Sequence, residues 1–284
     1  MSASEIFAPG LLRDRVCVVS GGGTGLGREM TRELVALGAR VTICGRRQEP
    51  LEETASELAA AGGEVATKLA DIRDAESVDA LVNDVLEREG RVDTLVNNAG
   101  GQFLSPAEEI SPKGFRTVTE LNVQGTWQMT HAFATRAFIP QNEGQVISIT
   151  LSPHNGMPGM VHSGAARAGV ENMMRTLAVE WARFNVRTVA IAAGQIETET
   201  LRTKYPKAVT ENLERMVPLG RLGRPQDISW LVAYLASPGG NFHSGSVITV
   251  DGARDDWLGP WPPEDIMGDE GKPMAEERRP AEGS

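Results

Sequence analysis

The chain has 284 residues and a mass of 30.5 kDa, with 28 Lys and Arg against 38 Asp and Glu, a net charge of −10. That balance argues against nucleic acid as a partner, because a polyanion is held by clustered Lys and Arg. With 40% apolar and 23% charged residues the proportions are globular. No apolar run approaches the roughly 18 residues of a membrane span, and the opening MSASEIFAPG lacks the basic start and apolar block of a secretory signal. A cytoplasmic protein that does not enter a membrane is expected.

After an N-terminal extension over residues 1–13, the first β-branched run is Val16 to Ser20. It leads straight into Gly21-Gly22-Gly23-Thr24-Gly25-Leu26-Gly27, and residues 28–37 follow in helical period. Strand, glycine run and helix in that order suit a pyrophosphate: glycine lets the backbone approach the anion, and the unpaired N–H groups of a helix start favour negative charge. Gly21, Thr24, Gly25, Leu26 and Gly27 are the candidate contacts. The second strand, Val41 to Cys44, ends at Gly45-Arg46-Arg47. A carboxylate at such a place accepts the ribose hydroxyls of NAD, whereas guanidinium groups bind a 2′-phosphate bidentately, so Arg46 and Arg47 favour NADP(H) over NAD(H). Two solvated arginines at a helix start are the plain alternative.

Further strands are expected at Val65 to Leu69, Thr94 to Asn97, Val146 to Thr150, Val186 to Ile191 and Val247 to Val250, with amphipathic segments between most of them. This alternation implies an α/β fold, a doubly wound parallel sheet of about seven strands with helices on both faces, filling one domain over residues 14–255. Cys17 and Cys44 fall inside strands and read as buried spectators. His131, His154, His162 and His243 are dispersed without zinc spacing, so no metal is expected. Residues 198–224 carry Arg202, Lys204, Lys207, Arg215, Arg221 and Arg224 and form a candidate substrate lid. Residues 256–284 form an acidic, Pro-rich tail: from Asp251 onward there are ten acids and four bases, with Trp257 and Trp261 available for docking.

Taken together, Gly21, Gly25 and Gly27, Asp71-Ile72, Asn97-Asn98-Ala99-Gly100, Asn122, Ile196 and Thr198, and Asp251-Gly252 resemble the short-chain dehydrogenase/reductase family, in family order over residues 14–252. The resemblance implies a Rossmann-type sheet and a nicotinamide cofactor. Asp71 and Ile72 would face the adenine, Asn98, Ala99 and Gly100 would line the cofactor, and Ile196 with Thr198 would hold the nicotinamide carboxamide or a phosphate. It also implies a homotetramer built through the helices carrying Asn122 and Arg167.

In that family a tyrosine stands four residues before a lysine on the helix after the fifth strand. Here Ser163 and Arg167 hold those places, and the only tyrosines are Tyr205 and Tyr234. Arg167 can hold the nicotinamide ribose but does not give up a proton, and Ser163 can donate a hydrogen bond but is a poor acid. Reducing a ketone creates an alkoxide that demands a proton at once. Hydride addition to an enoyl thioester creates an enolate that needs hydrogen-bond donors, which Asn122, Thr150, Ser152 and Ser163 could supply, with His154 and His162 as conceivable acids. The segments 101–108 (GQFLSPAE) and 161–170 (VHSGAARAGV) resemble the peroxisomal trans-2-enoyl-CoA reductase and 2,4-dienoyl-CoA reductase branch. Reduction of the C=C bond of an enoyl-CoA-like substrate is therefore the expected reaction, with an acyl-CoA as the small-molecule partner. A citronellol-type alcohol or carbonyl dehydrogenase and a non-catalytic NADP-binding protein with a degenerate site are the alternatives.

Overall fold

The computed structural model describes residues 4–152, 154–204, 210 and 213–257. Seven strands, β1 (Val16–Ser20), β2 (Arg40–Gly45), β3 (Glu64–Leu69), β4 (Thr94–Asn97), β5 (Gly144–Leu151), β6 (Val186–Ala193) and β7 (Val247–Val250), form one sheet in the order β3-β2-β1-β4-β5-β6-β7. Every pairing is parallel. Three strands have the bounds expected from the sequence; the other four are longer by one to three residues, because pairing carries on into flanking residues such as Arg40, Gly45 and Ala193 that are not β-branched.

β1 is VCVVS, and all five residues are buried. That is the signature of a strand covered on both faces. Cys17 and Val19 face a cluster with Met30, Leu34, Ile228 and Val232. Val16 and Val18 face the opposite cluster with Leu81, Phe133, Phe138 and Met174. Burying side chains of this kind contributes about 1.5–3 kcal/mol each. Both cysteines are buried and free, as their place in the strands suggests, and burial pushes each thiol up to about 12.

The helices supplying these faces are α1 (Gly25–Ala36), α2 (Gln48–Ala60), α3 (Ala75–Glu89), a long composite α4, α5 (Val161–Glu180), a short α6 (Glu199–Lys204) and α7 (Pro225–Ala236). α4 runs through Pro112–Thr119, a π turn at Glu120–Gln124, Gly125–Phe133, a second π turn at Ala134–Phe138 and Ile139–Gln141. Its start is fixed by Ser111, whose hydroxyl accepts from Gly114 N at 3.1 Å, and by Pro112, which needs no partner for a missing N–H. Part of the expected lid, residues 205–209, 211 and 212, lies outside the described residues, as do Tyr205 and the tail from 258 onward with Trp261. Among the described residues no helix is long and apolar enough to cross a membrane.

At the amino-terminal edge of the sheet, Asp93 ties several strands together. Its carboxylate accepts from Val16 N at 2.7 Å and from Arg15 Nη1 at 3.1 Å, and it is also paired with Arg91. Only 5% of Asp93 is exposed. Replacing it by alanine orphans the buried Val16 amide and takes one carboxylate from Arg15 and Arg91, which keep Glu143 beside them. Asp93→Ala is expected to cost about 2–4 kcal/mol in urea unfolding with no change in ligand affinity, since the site lies at the other edge.

Candidate active site

The carboxyl ends of β1, β4, β5 and β6 form one edge, and the strand order reverses between β1 and β4. A crevice opens at such a reversal, so the topology alone sets a ligand there. The glycine run occupies it. Gly21 sits at φ +68°, and a Cβ on Gly27 would lie 2.0 Å from Gly21 O and 2.7 Å from Asn98 Nδ2. The loop is therefore folded back against the first turn of α1 with no space for a side chain. Thr24 and Gly25 are exposed and Leu26 is half-buried, so the unpaired amides of the helix start open outward.

Ser20 holds the neighbouring loop. Its Oγ accepts from Asn98 N and Ala99 N, both at 3.0 Å, while Asn98 Nδ2 donates to Ser20 O at 3.0 Å. The sequence signal for this role is its position as the last residue of β1, just before the glycines. At the end of β2, Arg46 and Arg47 are exposed, and neither forms an ion pair among the described residues. Asp71 behaves differently: a bidentate contact with Arg73 holds its carboxyl below the usual range, with a smaller contribution from the field of Arg46. Ile72 is buried against Gly125 in α4.

Asn122 lies on the first π turn and is fully buried. Its Nδ2 donates to Gly101 O at 2.8 Å and Val118 O at 2.7 Å, and its Oδ1 accepts from Gly101 N at 3.2 Å. With both amide hydrogens on main-chain carbonyls, Asn122 clips the loop after β4 to the bulged helix. Gly100 brings that loop against α5: a Cβ there would be 2.6 Å from both Arg167 Nη2 and Asn122 Oδ1.

Arg167 is half-buried and donates from Nη1 to Ile149 O at 2.8 Å, whereas its enclosed Nε has no partner among the described residues. Burial, partly offset by the carboxylate of Glu171, draws its pKa down from 12.5 to about 10. It remains a cation at neutral pH. Ser163, one turn earlier on α5, is fully buried and its Oγ has no partner among the described residues. The adjacent His162 accepts from Ser163 N at Nδ1, 2.8 Å, which assigns the proton to Nε2, also buried and unpartnered.

The other hydroxyls are already engaged. Thr150 Oγ1 donates to Glu171 Oε1 at 2.8 Å, and Ser152 Oγ donates to Asp251. Glu171, 4% exposed, also receives His154 Nε2 at 3.0 Å. In the sequence Glu171 reads as a helical partner for Arg167, Asp251 as half of the Asp251-Gly252 pair and Asp255 as part of the acidic tail, with no signal that they join the site. Ile196 is buried and pairs with Gly223, and Thr198 Oγ1 accepts from Leu201 N at 3.2 Å at the start of α6. A cavity of about 300 Å³ lies beside Ile196, lined by Leu219, Arg221, Trp230, Asp251 and Gly252 among others.

Three enclosed atoms without a partner among the described residues, His162 Nε2, Ser163 Oγ and Arg167 Nε, lie on one helix that also packs against Gly100 on this edge. A dinucleotide fits these observations: a cradle that leaves no space for a side chain, exposed amides at a helix start, and unspent donors farther along the same edge.

The Enoyl-(Acyl carrier protein) reductase family model matches residues 21–253. The chain belongs to the short-chain dehydrogenase/reductase family. It is 36% identical over 259 residues to a probable 2,4-dienoyl-CoA reductase of Bacillus subtilis, covering 88% of this chain and 100% of that one. It is also 36% identical over 258 residues to the peroxisomal 2,4-dienoyl-CoA reductase of Rattus norvegicus, covering 89% and 87%. Among solved structures, a citronellol catabolism dehydrogenase of Pseudomonas aeruginosa is 40% identical with a TM-score of 0.79, covering 88% of this chain and 98% of that chain. As a member of this oxidoreductase family, the protein has the nicotinamide-binding sheet expected from its sequence.

Proposed function

We propose that this protein reduces the C=C bond of an enoyl- or dienoyl-CoA thioester with NADPH. The observation that carries the reading is the state of the hydroxyls: of the three, Ser163 Oγ alone has no partner among the described residues, beside a cationic Arg167, while Thr150 and Ser152 are committed to carboxylates. A site with one weakly acidic hydroxyl and a fixed positive charge suits an enolate better than an alkoxide, because an enolate is stabilised by donors and can take its proton later from water. The names of the relatives in Bacillus subtilis and Rattus norvegicus support the same substrate class.

The bound cofactor would supply hydride. This chain's residues would do the rest. The amides around Thr24 to Leu26 receive the pyrophosphate, and the unpaired Arg46 and Arg47 receive the 2′-phosphate. Arg167 orients the ribose next to the reacting carbon, Ser163 donates to the thioester oxygen, and the cavity beside Ile196 encloses part of the acyl group.

Loss of NADPH absorbance on adding a trans-2-enoyl-CoA or a 2,4-dienoyl-CoA tests the reading. No turnover with either class across chain lengths overturns it. Oxidation of citronellol with reduction of NADP would instead favour an alcohol dehydrogenase, the activity named for the Pseudomonas aeruginosa protein. Replacing Arg46 and Arg47 together by serine is expected to weaken NADPH binding by about a hundredfold and to leave NADH within a few-fold, as two charge-assisted contacts are lost from one ligand only. Calorimetry with both nucleotides measures the ratio.

A further inference from the structure

The described residues place His154 between two carboxylates. Its Nδ1 meets Asp255, its Nε2 meets Glu171 Oε1 at 3.0 Å, and its main-chain N donates to Asp255 Oδ1 at 2.6 Å. These contacts join the end of β5 to the middle of α5 and to the turn after β7. Ionised carboxylates only accept hydrogen bonds, so both ring nitrogens can be satisfied at once only when both carry protons. The same turn positions the site: Asp255 N donates to Asp251 Oδ2 at 2.8 Å, Asp251 accepts from Ser152, and Asp251 with Gly252 walls the cavity beside Ile196.

We infer that His154 is a positioning residue whose imidazolium clasps the 251–257 turn onto the site, so that the cavity wall is held at low pH and released as the ring loses a proton.

The charged groups facing the ring are Glu171 on α5 and Asp255 on the turn, with Asp251 and Arg254 behind Asp255 and Arg167 one helical turn from Glu171. Burial works against the charged ring, but the hydrogen bonds and fields of Asp255 and Glu171 outweigh it and raise its pKa above the ordinary 6.5. The sign follows. A group whose folded pKa is raised contributes fully below its unfolded value, and the contribution is lost as pH climbs through the folded value. With 33% of the side chain exposed, the ring exchanges protons with solvent. The clasp bears on the proposed reductase only in that Asp251 and the cavity belong to the same site.

The test follows the ring directly in the full-length protein. His154 is assigned by loss of its imidazole resonance in His154→Gln, and its NMR titration is read together with hydrogen exchange at the amides of His154 and Asp255. The expected result is a midpoint above 6.5 and a protection factor at both amides, taken relative to the base-catalysed intrinsic exchange rate, that falls about tenfold through the same pH range. Asp255→Asn and Glu171→Gln are each expected to weaken proton binding by the ring about tenfold. A midpoint at or below 6.5, or amide protection that stays flat while the ring titrates, overturns the inference. In turnover, kcat/KM for NADPH-dependent enoyl-CoA reduction should fall above the midpoint and lose that limb in His154→Gln. If no substrate is turned over but the ring and the amides titrate together, the clasp stands and the reductase reading falls.

Discussion

Gly27→Ala is expected to weaken dinucleotide binding by on the order of a hundredfold while leaving the far-ultraviolet spectrum native. The reason is steric. The new methyl would have to sit 2.0 Å from Gly21 O and 2.7 Å from both Gly21 C and Asn98 Nδ2, and two of those three neighbours are main chain. Main chain cannot swing aside as a lysine tip can, so the loop must lift away from α1, taking Gly21 and the amides of the helix start with it. Asn98 would lose its bond to Ser20 O, which also loosens the loop after β4. Gly169→Ala is the control: it is exposed on α5, and its Cβ would meet nothing nearer than Val123 Cγ2 at 3.9 Å. That variant should bind normally and gain up to about 1 kcal/mol from helix propensity. Calorimetry with NADPH reads both, and affinity in Gly27→Ala within a few-fold of the parent would refute the account of the cradle.

Gly27 was legible in the sequence because its role depends on local order alone: a buried β-branched strand, a glycine run and a helix adjacent along the chain. The same holds for the strands. VCVVS in β1 and VTIC in β2 announce themselves because a parallel sheet covered on both faces demands continuous apolar or β-branched runs. The π turns of α4 gave no such signal, since Glu120–Gln124 keeps ordinary helical periodicity and the bulge depends on Asn122 reaching Gly101, 21 residues away. Glu171 was hidden for a related reason. On the helix alone it looks like a partner for Arg167 one turn earlier, and only the fold brings Thr150 from β5 and His154 from the loop beyond it within hydrogen-bond distance. Asp251 reads from the sequence only as half of the Asp251-Gly252 pair and Asp255 only as a charge of the tail, whereas the structure sets them against Ser152 and His154. Local backbone chemistry reads from sequence; polar groups that meet across the sheet edge do not.

Arg167→Met is the second large effect. Methionine keeps the unbranched apolar stem that packs along α5 and removes the guanidinium. Turnover is expected to fall by about 10²–10³-fold, the range seen when one preorganised donor at developing negative charge is lost, while nucleotide affinity falls by only about tenfold. Stability should hold or rise. The guanidinium is half-buried, has no ion-paired carboxylate and no partner at Nε among the described residues, and burial, only partly offset by the field of Glu171, already pulls its pKa down to about 10, so folding works against the charge that the substitution deletes. Arg167→Lys should recover part of the rate, because an ammonium restores the charge but cannot reach Ile149 O and the Gly100 side of the crevice together. A falling rate with an unchanged or higher melting temperature separates a group that works on the reacting atoms from one that only holds α5 in place. Turnover in Arg167→Met within threefold of the parent would remove the guanidinium from the reaction and leave Ser163 Oγ and His162 Nε2, the other donors of that helix without a partner among the described residues, to stabilise the enolate.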